Sequence, residues 1–245
     1  MGDAKLPAIS GWTKTSFIDC LPGHPATLLF LSGCNLRCPY CHNPSIVLDR
    51  YPPIPFDAIR NHIVKLKDVI IESAVISGGE PTLHPELNAL CGKLKALGLK
   101  IKIDTNGLEP DVLTTCRPDY LAVDIKTAPE KYRLLNAPYG GGECRERLSK
   151  SIGVVKSMGD NAEIRITAVP GIIDRGDIES LLADLRGVSK VFLQQFNPNQ
   201  PMLDPAYSSV KPYGADELES MRSMFSEAGI NCKIRESSFF VSTPT

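Results

Sequence analysis

The stretch "LSGCNLRCPYCHNPS", residues 31–45, sets Cys34, Cys38 and Cys41 within eight positions. Thiolates at this spacing are metal or cluster ligands, yet the count is one short. A structural zinc takes four protein ligands, and so does a conventional four-iron cluster. His42 offers a fourth ligand for zinc, but a residue adjacent to Cys41 shares a tetrahedral ion with it awkwardly. The other answer is three thiolates on three irons. The fourth iron is then open to an exchangeable molecule that receives an electron there.

A second segment, "SGGEPT" (77–82), supplies what such a molecule needs. Gly78 and Gly79 have no side chains and allow close backbone approach. Glu80 offers an acceptor-only carboxylate to an ammonium group. A ligand carrying both an amine and a carboxylate can chelate the iron while Glu80 and the glycine backbone fix its amine.

The elements that must position these residues alternate regularly. A hairpin arm turns at Pro22-Gly23, and its second half, 26–31, reads as a buried strand. Strands follow at 73–77, 100–104, 120–125, 162–169 and 190–196, with a seventh short one in "CKIRES". Helices are predicted near 56–67, from Pro85 to Gly98, and near 111–116, 144–158, 177–185 and 215–228. Six strand–helix units specify an α/β fold with a parallel sheet. Periodicity alone fits either an open doubly wound sheet or a curved, incomplete barrel. The strand ends favour the barrel. Successive strands run into the three cysteines, "SGGEPT", "DTNG" (104–107), "VDIK" (123–126), "VPG" (169–171) and "QQFN" (194–197). Chemistry collects at the carboxyl ends of strands in such folds, and a rim used all the way round suits a partial (β/α)6 TIM-like barrel, strands inside and helices outside.

Composition narrows the setting. The chain has 245 residues, 42% hydrophobic and 22% charged, an ordinary globular mixture. Lys+Arg 27 against Asp+Glu 28 leaves a net charge of −1, which argues against a nucleic-acid partner. No apolar run is long enough for a membrane, and "MGDAKLPAISGW" lacks the apolar core of an export signal. The expected location is therefore the cytoplasm, where thiols stay reduced and eight cysteines do not make a disulfide framework. Cys20, Cys91, Cys116, Cys144 and Cys232 read as small buried hydrophobes, and His24, His62 and His84 as loop or helix-surface residues. The expected organisation is one domain over 1–245: an arm (1–25), a partial barrel (26–230) and a tail (231–245).

Cys34-x3-Cys38-x2-Cys41 followed by Gly78-Gly79-Glu80-Pro81 resembles the radical S-adenosylmethionine enzymes. The resemblance implies a [4Fe-4S] cluster on Cys34, Cys38 and Cys41, with the amino and carboxylate groups of S-adenosylmethionine on the fourth iron. One electron then cleaves the sulfonium to a 5′-deoxyadenosyl radical that abstracts hydrogen. No catalytic side chain beyond cluster and cofactor is required. Tyr40 matches the family's aromatic position beside the adenine. Asp104, Thr105, Asn106, Asp124 and Lys126 resemble the "DTNG" and "DxK" segments of glycyl-radical-enzyme activases. By that comparison Asp124 and Lys126 contact the ribose or methionine carboxylate. Asp104, Thr105 and Asp124 supply hard oxygen ligands for a monovalent cation near the cluster. Asn197 falls about where pyruvate formate-lyase activases place a histidine.

The opening segment 14–47 resembles activating proteins of anaerobic ribonucleoside-triphosphate reductase. That implies a glycyl radical enzyme as partner and a flavodoxin or ferredoxin as electron donor. Two alternatives are a small-molecule radical enzyme similar to 7-carboxy-7-deazaguanine synthase, and a non-catalytic metal-binding or electron-transfer protein.

Overall fold

The computed structural model describes residues 5–235. The first four residues, and 236–245 of the expected tail, lie outside the described residues. Among those described, eight strands form one sheet in chain order. They are β1 (Ile9–Leu21), β2 (His24–Leu31), β3 (Ser73–Gly78), β4 (Lys100–Thr105), β5 (Tyr120–Ile125), β6 (Ala162–Ala168), β7 (Val191–Gln195) and β8 (Cys232–Arg235). β1 and β2 are an antiparallel hairpin, and Gly23, at φ +79°, takes the left-handed position of its turn. Every later pair is parallel.

That order decides between the two architectures the sequence left open. A doubly wound sheet reverses direction at a switch point. Here each strand is added on the same side of the last, so right-handed crossovers place all the connecting helices on one face. The sheet is a partial barrel and does not close, since β1 and β8 are its two edges.

The helices are α1 (Pro44–Val47), α2 (Phe56–Leu66), α3 (Leu87–Ala96), α4 (Pro110–Cys116), α5 (Gly141–Met158), α6 (Arg175–Leu185) and α7 (Ala215–Glu227). In α3 the buried face is Leu87, Leu90, Cys91 and Leu94, and Gly98, at φ +86°, ends the segment. The helix starts at Leu87 rather than Pro85. α5 starts three residues before Cys144, at Gly141. A 3-10 stretch, Pro129–Leu135, lies inside what reads as a Gly/Pro-rich loop. Its three-residue repeat leaves no helical stripe to detect.

Alternation along the strands separates two environments. Leu29, Ile76, Ile103, Val123, Ile164 and Leu193 pack outward against Ile59, Leu90, Leu94 and Leu181 of the helices. The alternate positions face inward and carry charge: Lys102, Asp104, Asp124, Glu163 and Arg165. Buried charge is tolerable only when paired. Lys102 Nζ lies 3.3 Å from Asp104 Oδ1, and Tyr120 donates to Glu163 at 2.9 Å. Cys91, Cys116, Cys144 and Cys232 are buried, as expected, whereas Cys20 is half-buried. Among the described residues, no helix is long and apolar enough to cross a membrane.

Candidate functional site

β2 ends at Leu31, and Gly33 (φ +76°) turns the chain into the cysteine loop. The loop is braced from several directions. The Arg37 guanidinium donates to the Cys34 and Leu36 carbonyls at 2.7 and 2.8 Å, and the Arg37 amide to Leu135 O at 2.7 Å. From the 197–214 segment, the Leu203 amide donates to Cys41 O at 3.0 Å and the Asp204 amide to Pro39 O at 2.9 Å. Cys34, Cys38 and Cys41 line a cavity of about 230 Å³ at the carboxyl ends of the strands.

Burial pushes the Cys38 thiol up to about 12, against the pull of the nearby Lys126 ammonium. Cys34 rises to about 11, by burial first and then by the Glu80 charge, while the Leu36 N–H pulls it back down. Burial also raises Cys41, and the Asn43 N–H opposes it. Such thiols ionise when a cation replaces the proton, and the Leu36 and Asn43 amides are the kind of donors that stabilise cluster-bound sulfur. Among the described residues, no three His, Cys, Asp or Glu side chains converge as ligands of one metal ion. Thiolates that each hold a different iron span a wider site than one tetrahedral ion. His42 lines the cavity, and its Nε2, 3.1 Å from the Asn197 carbonyl, is committed as a donor, which leaves Nδ1 as the acceptor nitrogen. The donor set is three thiols on one cavity wall with backbone N–H groups at two of them, which fits a cluster that leaves one iron open.

The "GGE" segment plays a different part from the one its composition suggests. A Cβ on Gly79 would lie 1.7 Å from Gly33 O, and one on Gly78 (φ +112°) 2.5 Å from Leu31 N. The close approach that these glycines permit is therefore that of the protein's own cysteine strand. Gly79 N donates to Leu31 O and Glu80 N to Gly33 O, at 2.9 and 2.8 Å. The Glu80 side chain, 1% exposed, accepts four hydrogen bonds from the protein. Thr82 N, Thr82 Oγ1 and Thr105 Oγ1 reach Oε1 at 3.0, 2.6 and 2.7 Å, and Asn106 N reaches Oε2 at 2.7 Å. Burial raises this carboxyl, and the same donors pull it back. Gly78, Gly79 and Glu80 all line the cavity, and the Glu80 carboxylate also ties β3 to the β4 tip, with a single donor on Oε2.

Asp104, Thr105, Asn106, Asp124 and Lys126 line the same cavity, as does Tyr40. The Tyr40 hydroxyl lies 3.4 Å from the Lys126 carbonyl, and its ring meets Phe196 edge-on at 6.5 Å. The residues expected around a cation have protein partners of their own. Arg165, from the inner face of β6, grips Asp124 with Nε at 2.8 Å and a terminal nitrogen at 3.0 Å, and stands 3.4 Å from Asp104 Oδ2. Thr105 has given its hydroxyl to Glu80. Asp104 Oδ1 is buried without a hydrogen-bond donor, with Lys102 Nζ 3.3 Å away. Burial alone would raise the Asp124 carboxyl, but Arg165 and then Lys126 outweigh it and hold it at about 2.

Asn197 is the predicted residue that the structure leaves out of the cavity lining. Its Oδ1 accepts from the Asn199 N–H at 3.0 Å, so the side chain folds back onto its own loop. Sequence reasoning in turn missed Arg165, Thr167 and Asn43. In "AEIRITA" the Arg and Thr alternate with apolar residues, which reads as a solvent face. Only the curl of the sheet makes that face interior.

The sequence profile of the Radical SAM superfamily matches residues 28–185. A Methanocaldococcus jannaschii protein, provisionally named a glycyl-radical enzyme activating enzyme, is 34% identical over 196 residues, 78% of this chain and 80% of its own. A 7-carboxy-7-deazaguanine synthase of Halobacterium salinarum is 29% identical over 171 residues, 68% of this chain and 65% of its own. The crystal structure of a radical SAM methyltransferase from Sphaerobacter thermophilus superposes with a TM-score of 0.61 at 18% identity, over 87% of this chain and 67% of that one, a likeness of fold. This chain belongs to the radical SAM superfamily.

Proposed function

We propose that this chain is a glycyl-radical-enzyme activating enzyme whose partner is anaerobic ribonucleoside-triphosphate reductase. The observation that carries the activase reading is the 34% identity extending over four-fifths of the M. jannaschii relative. The resemblance of residues 14–47 to the reductase activators supports the choice of partner. In this reading, arm, barrel and tail act as one domain in the cytoplasm, and a flavodoxin or ferredoxin delivers the electron.

Cys34, Cys38 and Cys41 hold a [4Fe-4S] cluster with one iron free of protein ligands. Together with S-adenosylmethionine the cluster supplies hydrogen-atom abstraction driven by a single electron. The protein's task is to bind, orient and exclude. Lys126, 24% exposed at its side chain, presents its ammonium to the cavity as the natural partner of the cofactor carboxylate. Its contact with Asp124 Oδ2, at 3.4 Å, limits where that ammonium can go. Tyr40 gives an apolar wall beside the cysteines for the adenine. The backbone of residues 77–79 and the Glu80 carboxylate, whose Oε2 holds a single donor, are the acceptors for the cofactor's ammonium.

The test is anaerobic incubation of the reduced, reconstituted protein with S-adenosylmethionine and the reductase. The reading predicts a glycyl doublet in electron paramagnetic resonance. Cofactor cleavage with every glycyl partner silent rejects it. The similarity to 7-carboxy-7-deazaguanine synthases favours a second reading, a small-molecule reaction. Turnover of a small-molecule substrate with no protein partner present selects that one.

A further inference from the structure

Asn35 follows Cys34 directly, and its side-chain amide is fixed at one remove by backbone. The Leu108 N–H donates to Asn106 Oδ1 at 3.1 Å, which establishes the oxygen end of the Asn106 amide. The Asn106 nitrogen end donates to Asn35 Oδ1 at 2.7 Å. The other end of Asn35 is therefore its nitrogen. Asn35 Nδ2 is buried and, among the described residues, meets no acceptor. An unmet buried amide donor costs about 1–3 kcal/mol, and native structures rarely keep one without a use.

Its position indicates the acceptor. Cys34 Sγ lies 3.9 Å from Asn35 Oδ1, so the amide stands beside the thiol. The Cys34 sulfur is the acceptor chemistry that the structure sets beside this carboxamide, at its oxygen end.

We propose that Asn35 Nδ2 donates a hydrogen bond to a sulfur of the cluster held by Cys34, Cys38 and Cys41, and so tunes the potential at which the cluster takes its electron. The proposal rests on the family's cluster occupying these thiols. An N–H···S bond stabilises the more negative, reduced state and raises the potential. It also gives the Glu80–Asn106 contact a purpose: the β3 and β4 tips hold Asn106, and Asn106 aims Asn35.

Two variants isolate the donor. Asn35→Asp keeps an oxygen for Asn106 Nδ2 and deletes the donor. Asn35→Leu removes both polar ends without adding charge. The protein is reconstituted anaerobically without S-adenosylmethionine, and its midpoint potential is measured by titration followed by electron paramagnetic resonance. Hyperfine spectra in H₂O and D₂O report exchangeable protons near the reduced cluster. The expected result is a more negative potential in Asn35→Leu, about a tenfold shift in the ratio of oxidised to reduced cluster, or about 59 mV for one electron. One exchangeable-proton coupling present in the native chain is expected to vanish in both variants. If Asn35→Leu fails to assemble a cluster, the coupling in Asn35→Asp decides. A native potential in Asn35→Leu, or a coupling that survives in Asn35→Asp, overturns the proposal while leaving the family's cluster intact. A native chain that takes up no four-iron cluster overturns both.

Discussion

The two halves of the barrel rim are built differently. The tips of β2 to β4 are laced to one another: Glu80 to Thr105 and Asn106, Asn106 to Asn35, Gly79 and Glu80 to the cysteine strand. The tips of β6 and β7 look after themselves. Thr167 reaches the cavity and Arg165 reaches Asp124, but Val169 is buried in the core, Gln195 donates to Tyr213 O at 3.2 Å, and Asn197 bonds within its own loop. The difference shows how the molecule divides its labour. The first half fixes a small set of ligands to within hydrogen-bond tolerance, and the second closes the wall and lends one arginine.

Substitutions in the laced half should therefore cost more than matched ones opposite. The largest effect is expected for Cys38→Ala, which should reduce bound iron and 5′-deoxyadenosine release to background. Its apo form should keep native circular dichroism, because the lost thiol lines a cavity and leaves the sheet–helix core untouched. Undiminished cleavage would remove Cys38 from the ligand set.

Glycines give the sharpest internal comparison. Gly79→Ala drives a Cβ into Gly33 O and should destabilise the apo protein by about 3 kcal/mol or more in urea unfolding. Gly171→Ala, at the β6 tip, has only its φ of +83° to contend with and no atom within 4 Å of the new Cβ. That costs about 1 kcal/mol. Equal losses at the two positions would break the contrast.

Arg165 bridges the halves, and pH tests the bridge. Asp124 is held at about 2 in the folded protein, below the ~3.9 of an unfolded aspartate. Its contribution is therefore fully present above about pH 4 and fades as pH falls through 2. The lowered value corresponds to about 2 kcal/mol. Urea midpoints of the apo protein should decline over that window in the native chain and less in Asp124→Asn. Parallel declines would show that the Arg165 pairing adds no net stability.

The smallest effect belongs to Asn197→Ala. Its side chain serves only Asn199 among the contacts seen, so cofactor cleavage should stay within about twofold and stability within about 0.5 kcal/mol. A large loss of cofactor affinity would return Asn197 to the site.

These contrasts mark how far the sequence could be read. Cys34, Cys38 and Cys41 were legible because a loop of eight residues carries its own spacing. The strands were legible because alternation and turn residues are local signals. Glu80 was placed at the site, but its distant partners were not, because Thr105 and Asn106 meet it only after β3 and β4 pair. Arg165 was invisible for a related reason. A charged residue alternating with isoleucines looks solvated until the curl of the sheet turns that face inward. The Arg165 pairing was hidden on the same point, since hard oxygens in sequence do not reveal a guanidinium 41 residues beyond Asp124.

At the centre of this account is a cluster with one iron left free for S-adenosylmethionine. The most direct test is the electron paramagnetic resonance spectrum of the reduced, reconstituted chain before and after the cofactor is added. The account predicts that the g-values move on addition and that labelled cofactor nitrogen couples to the cluster. A spectrum unchanged by saturating cofactor, or a chain that retains only zinc, would contradict it.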